Sequence, residues 1–201
     1  MSDGSSTVDS GRRNALIATS VVGAAGAACV AVPFVATFQP SDKARAAGAP
    51  VEVDVSSLRA GEMVVAEWRG KPVWILRRTP EMLATLKATE PLVADPNSDR
   101  TAFPTPDYAK NQARSRNPEF LVAVGICSHL GCSPSKKFEA GDASMGSDWA
   151  GGFLCPCHGS TFDLAGRVYK NKPAPDNLEV PRHMFVSDTK LVIGQDEKGE
   201  A

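Results

Sequence analysis

The sequence predicts a mainly β protein: an antiparallel β-sandwich or barrel with two Cys/His-bearing loops at one end, behind one N-terminal transmembrane helix. Three observations predict it. Residues 14–38 carry no charged side chain. From Val51 onward, apolar residues alternate or run in short blocks bounded by Gly, Pro, Asn and Asp, which is the pattern of strands and turns. Four of the five cysteines and two of the three histidines fall in two short segments. These read Cys127-Ser-His129-Leu-Gly-Cys132 and Cys155-Pro-Cys157-His158-Gly-Ser160.

The chain has 201 residues, enough for one globular domain and an appendage. Its formal net charge of −1 gives no basis for a nucleic-acid partner. Residues 1–13 are Ser/Gly-rich and are expected to be disordered and cytoplasmic. Residues 15–38 would span roughly 36 Å as a helix, against about 30 Å for a bilayer core. Their Ala/Gly/Val-rich composition suits close packing against partner helices, and Pro33 is expected to kink or shorten the helix. Ala44-Arg-Ala46 loosely fits a cleavage site, but the apolar stretch is long for a signal peptide. An uncleaved anchor over 14–38 is therefore the expectation. Arg12-Arg13 satisfies the positive-inside rule, which puts the globular part in the periplasm, and also fits a twin-arginine export signal. Residues 39–50 read as a hinge linker that reaches at most about 40 Å when extended.

Residues 51–55 alternate apolar and polar. Residues 63–68 and 73–76 read as strands flanking a hairpin turn at Arg69-Gly70-Lys71-Pro72. Residues 80–88 form a helix candidate, with Thr79 as cap and Pro80 in the first turn. Residues 89–118 are polar and irregular, and 120–125 form a buried strand that runs into the first Cys/His segment. Residues 133–151 read as a polar insertion. Short strands are expected at 152–154, 167–169, 178–180 and 190–193. The globular domain is thus 51–201, with the Cys/His part at about 120–181.

Cys127, His129, Cys155 and His158 are candidate metal ligands, with Cys132 and Cys157 left over. Zinc uses the same donors at similar separations, and spacing alone does not exclude it. Three features favour another centre. The two spare thiols have no role at zinc, Gly131, Gly159 and Ser160 suit a sulfide-bearing cluster, and an exported cysteine pair tends to oxidise.

The two segments resemble the Rieske iron–sulfur signature, Cys-x-His-x-Gly-x-Cys with Cys-x-x-His. Together with the anchor, residues 54–57, Gly70-Lys-Pro72 and residues 163–181, the resemblance extends to the Rieske subunits of proteobacterial cytochrome bc complexes, the ubiquinol–cytochrome c reductases. It implies one 2Fe–2S cluster held by Cys127, His129, Cys155 and His158, beside a Cys132–Cys157 disulfide. Ser160 matches a hydroxyl that hydrogen-bonds the cluster, while the companion Tyr position is Phe162. Pro173-Ala-Pro175 resembles the loop that covers the cluster, with Lys172 where Gly is usual.

The resemblance also implies an oxidoreductase subunit whose catalytic histidines, His129 and His158, meet quinol. An electron then passes to a c-type cytochrome, and a proton leaves through a ligand histidine. Cytochrome b and the c-type cytochrome would be partners in a dimeric inner-membrane complex. With two thiolates and two neutral imidazoles the oxidised cluster carries a formal charge of about zero, against about minus two for four thiolates, so it accepts an electron more readily. Two alternatives stand beside this reading. One is the Rieske small subunit of an exported molybdenum oxidase such as arsenite oxidase, which usually lacks a retained anchor. The other is a structural zinc module. Cys29, His183, Trp68, Trp74 and Trp149 read as packing residues.

Overall fold

The computed structural model describes residues 9–199, so the disorder expected for residues 1–8 lies outside the described residues. The chain divides into two compact units, residues 1–46 and 47–201.

In the first unit, helix α1 (Ser10–Ala36) is capped by Asp9. Its carboxylate accepts from the N–H groups of Gly11 and Arg12 at 2.9 and 3.2 Å, satisfying donors that the first turn leaves open. This cap starts the helix ahead of the twin arginine, so Arg12 and Arg13 are helical rather than part of a disordered leader. Pro33 lies inside the helix, which continues to Ala36. The 27 residues span about 40 Å. An 18-residue window has a mean hydropathy of 2.1 and none of the helix is buried, so length and composition suit a membrane span. A short helix α2 (Asp42–Ala47) follows, with Ser41 Oγ accepting from the Ala44 N–H at 3.1 Å.

The second unit is built from three antiparallel three-stranded sheets. The first has the order β1 (Val51–Asp54), β9 (Lys190–Ile193), β8 (His183–Ser187), and the second β2 (Met63–Trp68), β3 (Lys71–Arg77), β4 (Phe120–Val124). The third has the order β5 (Ser135–Lys137), β6 (Gly152–Leu154), β7 (Thr161–Phe162). The β2–β3 turn is tighter than the four residues expected. It contains only Arg69 and Gly70, at φ 51° and 70°, a two-residue mirror-image turn that suits the strand twist. Lys71 and Pro72 already belong to β3, paired with Trp68 and Glu67.

Strands β3 and β4 are buried on both faces, which is why they read as continuous apolar runs. Val73, Ile75, Val122 and Val124 face a core with Val55, Leu58, Trp68, Leu191 and Ile193. The alternate residues Trp74, Leu76, Leu121 and Ala123 face a second core with Phe153, Phe162, Leu164, Cys127 and Cys155. Trp74 stacks on Phe153 with centroids 4.8 Å apart. A side chain at Gly125 would overlap the Trp74 indole, so glycine is required where β4 leaves the sheet for the first Cys/His loop.

Helix α3 (Pro80–Thr89) is capped by Thr79, whose side chain accepts from the Met82 N–H. Residues 93–119 are largely irregular, with a 3-10 turn at Asp107–Ala109, and buried arginines hold them. Arg78 donates to the carbonyls of Pro118, Ala113 and Leu164 and to Ser115 Oγ. Arg114 donates to Ser98, Thr105 and the carbonyls of Ala165, Gly166 and Leu178. Burial pushes both guanidinium groups down to about 10, so each stays charged near neutral pH.

The same contacts explain a correction. Residues 167–169 and 178–180 are not strands. They carry only isolated bridges, Val93 to Tyr169 and Phe162 to Val168, and Glu179 accepts from the Val124 N–H at 2.8 Å. The Leu178 N–H donates to the Gly166 carbonyl, and other backbone groups here bond to side chains. The Leu178 carbonyl meets Arg114, and the Val168 N–H meets Asn177 Oδ1. Conversely, β5, β7 and β8 escape sequence reading: β5 is polar and β7 is two residues long.

His183, 1% exposed, is a packing residue with an acid-sensitive consequence. Its Nδ1–H donates to the Pro181 carbonyl at 2.8 Å, while Nε2 is buried with no partner among the described residues. Burial lowers its pKa from 6.5 to about 4, opposed by the Pro181 hydrogen bond. The folded value lies below the unfolded one, so the stabilisation is complete above about pH 6.5 and is lost as pH falls toward 4. The shift corresponds to about 3 kcal/mol. Denaturant midpoints of the wild-type chain should therefore drop between pH 7 and 4.5, and His183→Gln should remove much of that drop. An equal drop in both chains would contradict the assignment.

Candidate metal centre

Two loops of matching backbone form the site. The first, residues 127–132, leaves β4, and the second, residues 155–160, joins β6 to β7. In the first, the Cys127 N–H donates to the Cys132 carbonyl at 2.8 Å, and the Gly131 N–H to the Cys127 carbonyl at 3.1 Å. In the second, the Cys155 N–H donates to the Ser160 carbonyl at 2.7 Å, and the Gly159 N–H to the Cys155 carbonyl at 3.0 Å. Both turns need the left-handed backbone of Gly131 and Gly159, at φ 84° and 73°. Each loop therefore presents its first cysteine inward and its histidine outward.

The Cys132–Cys157 disulfide joins the two loops. Cys127 and Cys155 are free thiols, each 2% exposed. The His129 and His158 rings lie edge to face with centroids 4.7 Å apart. His129 is half-buried and His158 exposed. The structure thus gathers all four predicted ligands and sorts them, thiols on the buried side and imidazoles on the outer side.

Cys127 Sγ sits in a defined field. Burial pushes its thiol pKa up, and contact with Cys155 adds to this. The nearby His129 N–H and Ser160 hydroxyl pull it back. Ser160 is fully buried, and its Oγ also accepts from the Ala174 N–H at 2.9 Å. It therefore fastens the Pro173-Ala-Pro175 loop to the second Cys/His loop. Ser128 does the same for the first loop, donating to the Asp176 carbonyl at 2.6 Å and accepting from the Asp176 N–H at 3.3 Å. Sequence reading missed Ser128, because a serine between two candidate ligands carries no distinguishing signal. Phe162 is fully buried on β7 and offers no hydroxyl.

The donor set fits a dinuclear cluster better than a single zinc ion. Among the described residues, the one group of three such donors within 4.8 Å of one another is Cys132, Cys155 and Cys157. Two of these are locked in the disulfide, so that group is no ligand set. The four predicted ligands do not crowd around one point, as tetrahedral zinc requires. They form a thiol pair and an imidazole pair, which suits two irons with different ligands. Cys127 and Cys155 would hold one, His129 and His158 the other.

Hydrogen bonds to ligand sulfur favour the reduced, more negative state. Ser160→Ala should lower the cluster's midpoint by tens of millivolts, roughly the 1 kcal/mol of one net hydrogen bond. It should also reduce stability, since the buried Ala174 N–H loses its acceptor. Phe162→Tyr should raise the midpoint by a similar amount. Redox titration and thermal unfolding check both variants, and an unmoved midpoint in either contradicts this account.

Residues 109–183 match the Rieske [2Fe-2S] domain family. Residues 2–41 match the ubiquinol-cytochrome c reductase Fe-S subunit TAT signal family. The ubiquinol-cytochrome c reductase iron-sulfur subunit of Allochromatium vinosum is 57% identical over 185 residues, covering 92% of this chain and 88% of that protein. Its counterpart from Blastochloris viridis is 41% identical over 191 residues, covering 94% and 96%. Among solved structures, a hyperthermophilic respiratory Complex III chain aligns with a TM-score of 0.47 at 23% identity, covering 87% of this chain and 97% of that one. The sorted donors and the 57% and 41% identity over 92% and 94% of the chain lead to one conclusion: the chain belongs to the ubiquinol-cytochrome c reductase iron-sulfur subunit family.

Proposed function

We propose that this chain is the electron-transfer subunit of a membrane-bound quinol:cytochrome c oxidoreductase, and that Cys127, His129, Cys155 and His158 are its cluster ligands. The observation that carries the reading is the sorting of donors, with two buried thiols behind two imidazoles at the surface. When bound, the 2Fe–2S cluster supplies a one-electron acceptor of raised potential. The protein supplies the rest. Cys127 and Cys155 hold the buried side, and His129 and His158 each bind through one ring nitrogen and keep the other at the surface. His158, the more exposed of the two, presents that nitrogen to the quinol hydroxyl and takes its proton at hydrogen-bond distance. Exposed Leu130, next to His129 in sequence, and exposed Pro173 and Pro175, on the segment tied to both Cys/His loops, offer apolar surface that suits a quinol pocket in cytochrome b.

Within this reading, residues 14–38 anchor the chain in the inner membrane, 39–50 form the hinge linker, and 51–201 form the periplasmic head. Residues 1–13 stay in the cytoplasm with the twin arginine, and the complex is a dimer. The acceptor is a c-type cytochrome. Purification of the tagged chain from its native membrane should recover cytochrome b, a c-type cytochrome and quinol:cytochrome c activity. Recovery with a molybdenum protein, or of zinc without acid-labile sulfide, would overturn the proposal.

The linker prediction follows from α2. Prolines at Ala44 to Ala47 remove helical N–H groups, including the one that meets Ser41. Turnover should fall several-fold while the subunit still assembles and shows its reduced-state EPR signal. Unimpaired turnover would count against a moving head.

A further inference from the structure

We propose that Cys155 is poised to exchange with the Cys132–Cys157 disulfide, so that in a chain without its cluster the disulfide moves onto the two thiol ligands and closes the site. This rests on the ligand reading given above. The Sγ atoms of Cys132, Cys155 and Cys157 lie within 4.8 Å of one another. Cys155 also lies in the same buried cluster as Cys127, and the two thiols interact electrostatically. The four sulfurs thus form a relay from Cys127 through Cys155 to the disulfide. Cys127 and Cys155 are each 2% exposed, so external thiols and oxidants reach them poorly. Their protein neighbours are already at hand, and held neighbours react as in a unimolecular step.

The exchange is balanced internally. Cys155 gives its proton to solvent, and its thiolate attacks Cys132 Sγ. The Cys155–Cys132 bond forms, the Cys132–Cys157 bond breaks, and the electron pair leaves on Cys157 Sγ. Cys157 is exposed, so water solvates and protonates the leaving thiolate. Cys127, after losing its own proton, then attacks Cys155 Sγ. The Cys127–Cys155 bond forms, and Cys132 departs and takes up a proton. Two electrons have passed from the Cys127/Cys155 pair to the Cys132/Cys157 pair, with no outside oxidant or reductant. The product has lost both thiolate donors. A bound cluster prevents this by occupying both thiolates, so loading must precede disulfide formation. Cluster assembly in a reducing compartment, before export, meets that requirement.

The test uses the full-length, cluster-loaded chain with Cys29→Ala to simplify mapping. Iron is removed anaerobically by a chelator at neutral pH without denaturant. Samples are quenched in acid, free thiols are alkylated, and the pairings are mapped by peptide mass spectrometry. Over minutes to hours, most of the Cys132–Cys157 linkage should convert to Cys127–Cys155, with Cys132 and Cys157 alkylated. Cys127→Ser, purified without cluster, should stop at Cys132–Cys155 with Cys157 free. Persistence of Cys132–Cys157 with Cys127 and Cys155 both alkylated overturns the proposal. So does a random mixture of pairings like that of the chain denatured before iron removal. Failure of the ligand reading looks different, because Cys155→Ser would then retain the reduced-state EPR signal.

Discussion

The buried carboxylate of Asp163 fixes the ground on which the site stands. It accepts from Thr89 Oγ, from the N–H groups of Ala165 and Arg167, and from Arg167 Nε. The Asp163–Arg167 pair is fully buried. Charges taken out of water persist only when nearly every lone pair and proton is matched. Arg78 and Arg114 meet that demand by reaching backbone carbonyls far apart in sequence, 86 residues for Arg78 and Leu164. The irregular segments between the strands are therefore held in one arrangement by charge solvation rather than by sheet ladders. The chain returning from the second Cys/His loop is bound to α3 by the same carboxylate.

On that base the site is a repeated device used twice. Each loop closes around a glycine, buries one cysteine and offers one histidine. The repeat is in the backbone, because histidine follows the first cysteine by two residues in one loop and by three in the other. The disulfide absorbs that difference by linking the sixth residue of one loop to the third of the other. The Pro173-Ala-Pro175 loop is then tied to both, through Ser160 and through Ser128. The surroundings of the imidazoles thus come from three segments that support one another.

The sequence made the metal centre more legible than the sheet around it. Cysteine and histidine are informative because few other roles concentrate them so closely, and family resemblance named their partners. Strands β1, β2, β3, β4, β6 and β9 are readable because burial on one or both faces leaves an apolar or alternating pattern. Strand β5 was not, since Ser135, Lys136 and Lys137 lie in a polar stretch whose pairing is set by β6. The opposite error arose at 167–169 and 178–180. Their apolar residues are buried as in a strand, yet arginine and asparagine side chains take the backbone groups a ladder would use. No local pattern announces a bond between Arg114 and Leu178, 64 residues apart. The same blindness hid Ser128.

The pairing of β1 with β9 has a mechanical consequence. Residue 51 is where the chain enters the sheet, and β1 is joined to the last strand through four register pairs from Val51–Ile193 to Asp54–Lys190. Tension drawn along β1 is shared among those pairs at once as shear, and two of their members, Leu191 and Ile193, are fully buried. Tension drawn across β1 falls first on the Val51–Ile193 pair alone and peels the strand from its end. The β1–β9 edge of the fold therefore resists a pull along β1 far better than a pull across it.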